Sequence, residues 1–427
     1  RLLQASLPEQ GVDAIVGLDH AAGILDASIA QSRPRYFAYI GSSALEIGAL
    51  ADLLAHSYDI NLALDSKAAT RLEEQTVRWL GQFVGFPAGG GHFTSGGQLS
   101  NTTALAAARE RALPGSRARG MGGVRARIYV SAEAHYSNVR AAEMLGIGAD
   151  NVVSIPLDAR RRMKVDALAA AIDEDVASGY VPVAVVASGG TTLTGAVDPL
   201  GDIASVAHAR GVWVHVDGAY GLPAAGTESR RHLFTGLDRV DSVSIDAHKW
   251  LSVPKACSAV LLRDPTALAL TFGHHEAYMP HEDDVRPNTV DTTLEYSRPV
   301  RSLKLWLAFH VHGAIGFRES LEANLGHAEL AYRLASGRDA FAVLPHPPSL
   351  SIVPLRHVHP GCPDVDAHND TLYRAMQDDG RIYISPGTID GGTWLRPCFT
   401  NFRTTDADVV ALLDVAEEIG ARICPMH

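Results

Sequence analysis

Cysteine is scarce: four residues in 427, at Cys257, Cys362, Cys398 and Cys424, with no C-x-x-C pair among them. That spread suggests neither a disulfide framework nor a zinc module. Long apolar runs are missing too, since no stretch reaches the roughly 18 residues a membrane-spanning helix needs. The opening Arg1-Leu-Leu-Gln-Ala-Ser lacks the continuous apolar segment of a secretory signal. Positive charge is in deficit. With 37 Lys and Arg against 48 Asp and Glu, the net charge of −11 argues against a basic groove for nucleic acid. Internal repeats and low-complexity tracts are absent. These absences lead to the expectation of a soluble, reduced, cytoplasmic protein with neither nucleic-acid nor membrane partners.

What is present reads as a folded α/β protein. Hydrophobic residues make up 46% and charged residues 20%, the balance of a globular chain, and the length implies a large core with a smaller domain beside it. Short Val/Ile/Ala-rich runs at 127–131, 152–156, 181–187, 212–216 and 243–245 alternate with helical patterns at 134–145, 165–178 and 203–210. Near-continuous apolar strands between helices predict a mostly parallel sheet covered on both faces. A long helix over 300–336, with bends at Gly313 and Gly316, leads to strands at 349–355, 381–385 and 395–399 and helices at 366–377 and 406–421. The expected organisation is an N-terminal segment (1–45), a large domain (46–336) and a small α+β domain (337–427).

Ligands of such sheets collect beyond the carboxyl ends of the strands. His135, Thr191, Thr192, Asp217, His248 and Lys249 all follow predicted strand ends. Lys249 closes the stretch Asp241-Ser-Val-Ser-Ile-Asp-Ala-His-Lys249. A lysine there either snorkels to the surface or, if desolvated, keeps a larger fraction of nucleophilic free amine. Upstream, Gly89-Gly-Gly-His-Phe-Thr-Ser-Gly-Gly-Gln-Leu-Ser-Asn101 precedes an alanine-rich helix. A glycine-rich turn opening a helix aims backbone N–H groups and the helix dipole at one point, which suits a phosphate. It is neither a P-loop nor a G-x-G-x-x-G fingerprint, which disfavours a dinucleotide enzyme. The patch Arg33-Pro-Arg-Tyr-Phe-Ala-Tyr39 either lines a pocket or plugs a core. In the segment 272–298, His274, His275, Glu276 and His281 match no familiar ligand spacing, so a solvated loop and no metal site are expected.

A lysine, a carboxylate, a histidine and a phosphate cradle at one sheet edge match the parts of pyridoxal 5'-phosphate. Lys249 would condense with its aldehyde, the Gly96-Gly97-Gln98 turn would hold its phosphate, and Asp217 would keep its ring nitrogen protonated. His135 would stack on one ring face, with the small Ala219 on the other. Each residue also has a plain structural reading: turn former, core histidine, filler.

The sequence further resembles a known family. His215-Val-Asp-Gly-Ala-Tyr-Gly221 and Ser244-Ile-Asp-Ala-His-Lys-Trp-Leu251 are similar to the paired signatures of the group II pyridoxal-phosphate-dependent amino-acid decarboxylases, the aromatic-amino-acid and glutamate group. Thr94-Ser-Gly-Gly-Gln, Ala134-His135 and Leu395-Arg-Pro-Cys-Phe-Thr-Asn401 resemble further family motifs. The resemblance implies a fold-type I homodimer with its active site at the subunit interface, acting on an amino acid. It implies a cofactor carried on Lys249, with Asp246 and His248 near it and Thr191 and Thr192 by the ring hydroxyl. Arg396 would meet the substrate carboxylate, and Tyr36 and Phe37 would lie on the substrate side. The family often carries a loop tyrosine that reprotonates Cα. Tyr278 and Tyr296 are the candidates here, both off the expected spacing, and Arg33 stands where histidine is common. The implied reaction is decarboxylation of an L-amino acid to an amine and carbon dioxide. The alternatives are aldehyde synthase, carbon–sulfur lyase or aminotransferase chemistry on the same cofactor, or a scaffold protein that has lost activity.

Overall fold

A computed structural model describes residues 3, 6–41, 43–274 and 288–424. The expected parallel runs form strands β2 (Ala126–Ser131), β3 (Val152–Ile155), β4 (Val181–Ser188), β5 (Trp213–Asp217) and β6 (Ser242–Ile245). Two strands that the pattern does not announce, β1 (Gly90–Thr94) and β7 (Ser258–Leu262), complete a seven-stranded sheet of order β1-β7-β6-β5-β4-β2-β3. Strand β7 runs antiparallel to both neighbours, and the remaining pairs are parallel.

Burial on both faces explains the unbroken apolar runs. Along β4, Val185 and Ala187 join one core cluster, while Val183, Ala184 and Val186 join another. Leu80 and Phe83 of the helix Ala68–Val84 cover the first face, and Leu105 and Ala108 of the helix Gly97–Ala112 the second. Part of the glycine-rich stretch is edge strand rather than turn. At Gly91 (φ +151°) a Cβ would stand 2.1 Å from the Val260 carbonyl oxygen of β7, so only glycine lets the two strands approach.

The helix Ser302–Ser336 bends at Gly313, whose φ of 64° is non-helical, as the sequence predicts. Beyond it lies a second sheet of order β10-β11-β9-β8, formed by β8 (Phe341–Val343), β9 (Leu355–His357), β10 (Pro386–Ile389) and β11 (Gly392–Leu395). These strands are displaced from the predicted runs. The apolar segments 349–355, 381–385 and 395–399 are largely irregular buried chain, and periodicity alone does not separate such segments from buried strands. The N-terminal patch does not stand apart from this unit. Phe37 N donates to the Tyr383 carbonyl at 2.8 Å and Cys398 N to the Phe37 carbonyl at 3.0 Å. Cys362 and Cys424 correct another expectation. Packing of the helices Val365–Asp379 and Asp406–Ile423 brings their Cα atoms to 5.8 Å and a disulfide joins them, across 62 residues that sequence spacing cannot bridge.

A buried ion pair ties the edge strand to the approach of the long helix. Arg298 Nη1 lies 2.8 Å from both carboxylate oxygens of Glu73, whose Oε1 also accepts from Phe93 N of β1 at 3.1 Å. Both side chains are almost fully buried. Glu73→Ala would strand a guanidinium in the interior and is expected to destabilise the protein by about 3–5 kcal/mol. The check is a lowered thermal midpoint relative to Thr76→Ser, a milder change on the same helix.

Candidate active site

The carboxyl ends of β2, β4, β5 and β6 open on one cavity of about 240 Å³. Gly97, Gln98, His135, Thr191, Thr192, Asp217, Ala219, Asp246 and Lys249 line it, together with Asn101, Ser137, Ser188, Gly190 and Tyr220. Parallel strands ending at one level deliver this convergence, since each βα turn places its first residues at the same edge.

Lys249 Nζ stands 2.9 Å from Asp246 Oδ2. From sequence, Lys249 either snorkels to the surface or is desolvated, and desolvation favours the neutral amine. Burial pushes the Lys249 ammonium downward, but the adjacent Asp246 carboxylate, together with Asp217 and Cys398, outweighs it and the net shift is upward. Asp246 mirrors this: burial favours its neutral acid, yet Lys249 and then His248 hold it below the usual carboxylate range. Pairing with Asp246 thus favours the ammonium form of Lys249, where burial alone would favour the free amine. His248 contacts Asp246 Oδ2 at 3.7 Å, and its Nδ1 lies 2.9 Å from the Cys257 carbonyl. It supports Asp246 without lining the cavity.

Asp217, at the end of β5, is buried and heavily solvated by protein dipoles. Its Oδ2 accepts from Asn101 Nδ2 at 2.9 Å and Asn138 Nδ2 at 3.2 Å, and its Oδ1 from Ala219 N at 3.3 Å. Asn101 Oδ1 in turn faces His215 Nε2 at 3.0 Å, and His215 Nδ1 faces Ser242 Oγ at 2.9 Å. Burial holds the His215 imidazole down to about 4, so it stays neutral and can donate to Asn101. Asn101 and Asn138 escape the sequence reading, although Asn101 lies one helical turn after Gly97, on the same face.

His135 precedes the helix Ser137–Met144 instead of lying within it, and Ser137 N donates to its Nδ1 at 3.3 Å. Burial, only partly offset by Asp217, keeps its imidazole below the ordinary histidine range. Thr191 donates to Glu133 Oε2 at 3.2 Å, while the Thr192 carbonyl accepts from Arg396 Nη1 at 2.8 Å. Arg396 is thus a buried cation just outside the cavity lining. Gly96 also lies outside the lining, with open space where a Cβ would be.

Tyr36 is buried, stacks on Tyr383 at 5.2 Å, and burial pushes its phenol up to about 12. Phe37 belongs to the small-domain core against Phe399, 1% exposed. It is shut off from any ligand, so the expected substrate contact is corrected to core packing. Tyr296 is exposed. Tyr278, His275, Glu276 and His281 fall outside the described residues.

These residues fit pyridoxal phosphate part by part. No side chain caps the N-terminus of the helix Gly97–Ala112, leaving its first amides for an anion. A Cβ at Gly97 would press to 3.0 Å from Asp246 Oδ2 and 3.2 Å from Ala219 Cβ, so the wall is kept clear where a ring would lie. Among the described residues, Asp246 Oδ1 is buried without a hydrogen-bond partner. An amine and a dipole-held carboxylate share the same space.

Comparison with known proteins agrees. The pyridoxal-dependent decarboxylase conserved domain matches residues 1–354. An aromatic-L-amino-acid decarboxylase of Bacillus atrophaeus is 30% identical over 98% of this chain and 88% of its own. An L-2,4-diaminobutyrate decarboxylase of Rhizobium meliloti (strain 1021) is 32% identical over 99% and 85%. Oryza sativa TDC, solved with PLP and tryptamine, superposes with a TM-score of 0.93 at 26% identity, covering 99% of this chain and 91% of that one. The chain belongs to the pyridoxal-dependent decarboxylase family and is a pyridoxal-phosphate-dependent amino-acid carboxy-lyase.

Proposed function

We propose that Lys249 carries the cofactor, that Asp217 governs its ring nitrogen, and that the substrate is an L-amino acid whose carboxylate Arg396 attracts. The observation that carries this reading is the shared cavity in which Lys249 and Asp217 face a glycine-walled space. When bound, pyridoxal phosphate supplies an electron sink for the pair left as carbon dioxide departs. Asp217, fixed by Asn101 and Asn138, holds a proton on the heterocyclic nitrogen without having to reorient. Lys249 must give up its proton before bonding, and Asp246 at 2.9 Å is the base placed to accept it. His135, neutral, offers a flat apolar face. Arg396, buried and directed by the Thr192 carbonyl, is a fixed positive charge at the cavity edge.

A homodimer is part of the same reading. The helix Ala14–Asp26 has no buried residue, yet Ile15, Leu18 and Leu25 on it are each about two-thirds exposed. Leu53 and Ile315 add apolar surface at similar exposure on the helices Glu46–Tyr58 and Ser302–Ser336. Apolar surface on this scale is characteristic of an interface. None of the described helices is long and apolar enough to cross a membrane; the cytoplasm is the proposed location, on the sequence argument alone.

The side-chain preference is to be read from a panel of aromatic, acidic and diamino L-amino acids. Carbon dioxide and amine in equal amounts are expected; carbon dioxide with aldehyde, ammonia and peroxide would instead show that oxygen, not a proton, takes up the carbanion left by decarboxylation. Lys249→Ala should lose both the visible cofactor absorbance and turnover, and an active, coloured variant would reject the assignment. Asn101→Ala should keep the colour while weakening cofactor binding about tenfold, the equivalent of one lost charge-assisted hydrogen bond. Light scattering should return twice the 45.5 kDa chain mass, with Leu18→Asp/Leu25→Asp shifting it toward one.

A further inference from the structure

The small domain holds a second cluster of chemically capable side chains that the decarboxylation machinery does not use. Cys362 lies in the loop between β9 and the helix Val365–Asp379, His368 in the first turn of that helix, and Cys424 at the end of the helix Asp406–Ile423. The ligand atoms of all three lie within 4.8 Å of one another. His368 and Cys424 are buried, and Cys362 is half-buried.

We propose that in the reduced chain Cys362, Cys424 and His368 bind a thiophilic divalent cation of the Zn²⁺ class. Two thiolates and an imidazole are the donor set such ions select over Mg²⁺ or Ca²⁺, and the two sulfur charges neutralise the ion. In the disulfide the two sulfurs are bonded to each other; once reduced, Cα atoms 5.8 Å apart let the thiolates part and share an ion at about 2.3 Å from each sulfur and about 2.0 Å from the imidazole nitrogen.

Three further features support the site. A ligating histidine is oriented by the bond its other nitrogen makes, and here His368 Nε2 has His357 Nδ1 at 2.8 Å. That partner is itself fixed, because His357 N donates to Asn369 Oδ1 at 2.9 Å. Its ring lies against the last helix where Gly420 makes room: a Cβ there would stand 2.6 Å from the imidazole. The cation would pin the end of that helix to the β9 loop. Binding replaces two thiol protons by one ion with no change of oxidation state. The disulfide form cannot bind until a phosphine or thiol reductant supplies two electrons and two protons.

The test uses phosphine-reduced holoenzyme titrated with Co²⁺ and then Zn²⁺. One equivalent of Co²⁺ per chain should give the intense visible bands of a tetrahedral, thiolate-ligated ion, and Zn²⁺ should bleach them. Cys362→Ser and Cys424→Ser should abolish the bands, His368→Ala should weaken uptake tenfold or more, and unreduced protein should show none. Should a cysteine variant fail to fold, alkylation of the wild type decides. Zn²⁺ should protect Cys362 and Cys424 from labelling while a chelator restores it. No bands in the reduced chain, bands undiminished in the variants, or labelling indifferent to Zn²⁺ would each overturn the proposal.

Discussion

A cation and an anion share the floor of the cavity, and much of the site follows from their pairing. Buried Asp246 and half-buried Lys249 pair at 2.9 Å, each favouring the other's charged form where burial alone would favour the neutral one. Such a pair is tolerated in a low-dielectric interior only if its members are oriented and surrounded by dipoles. The turn after β6 provides the orientation, with Lys249 N donating to the Asp246 carbonyl at 2.9 Å. His248 and Gly97 close the two sides.

The second carboxylate is handled differently. Among the described residues, Asp217 has no basic side chain as a direct hydrogen-bond partner; amide donors hold it, backed by His215 and Ser242. A carboxylate held by neutral dipoles keeps its charge available to a bound heterocycle instead of spending it on an internal ion pair. Two buried acids at the ends of adjacent strands thus acquire distinct electrostatic settings from their neighbours alone.

The small domain reaches this site through Arg396, whose guanidinium bonds the Thr192 carbonyl, while the N-terminal patch is stitched into the same domain through Phe37 and Tyr36. Three segments far apart in sequence thus meet beside the cavity. Relatives acting on aromatic and on diamino acids share this framework, which is consistent with side-chain choice lying in local contacts more than in fold.

Read alone, the sequence determined the parallel sheet, the cofactor chemistry and the positions of Lys249, Asp217 and His135. Apolar strands buried on both faces, and residues at their carboxyl ends, are local patterns that survive without coordinates. Tertiary structure decided what depends on distant partners. It made β1 a strand, because its pairing with β7 lies some 170 residues away in the chain. Phe37 became core, Asn101 and Asn138 became the supports of Asp217, and Lys249 became charged through Asp246. Cys362 and Cys424 met only after two helices packed. In each case the deciding energy is a contact or a desolvated charge between residues far apart in sequence, which spacing along the chain does not encode.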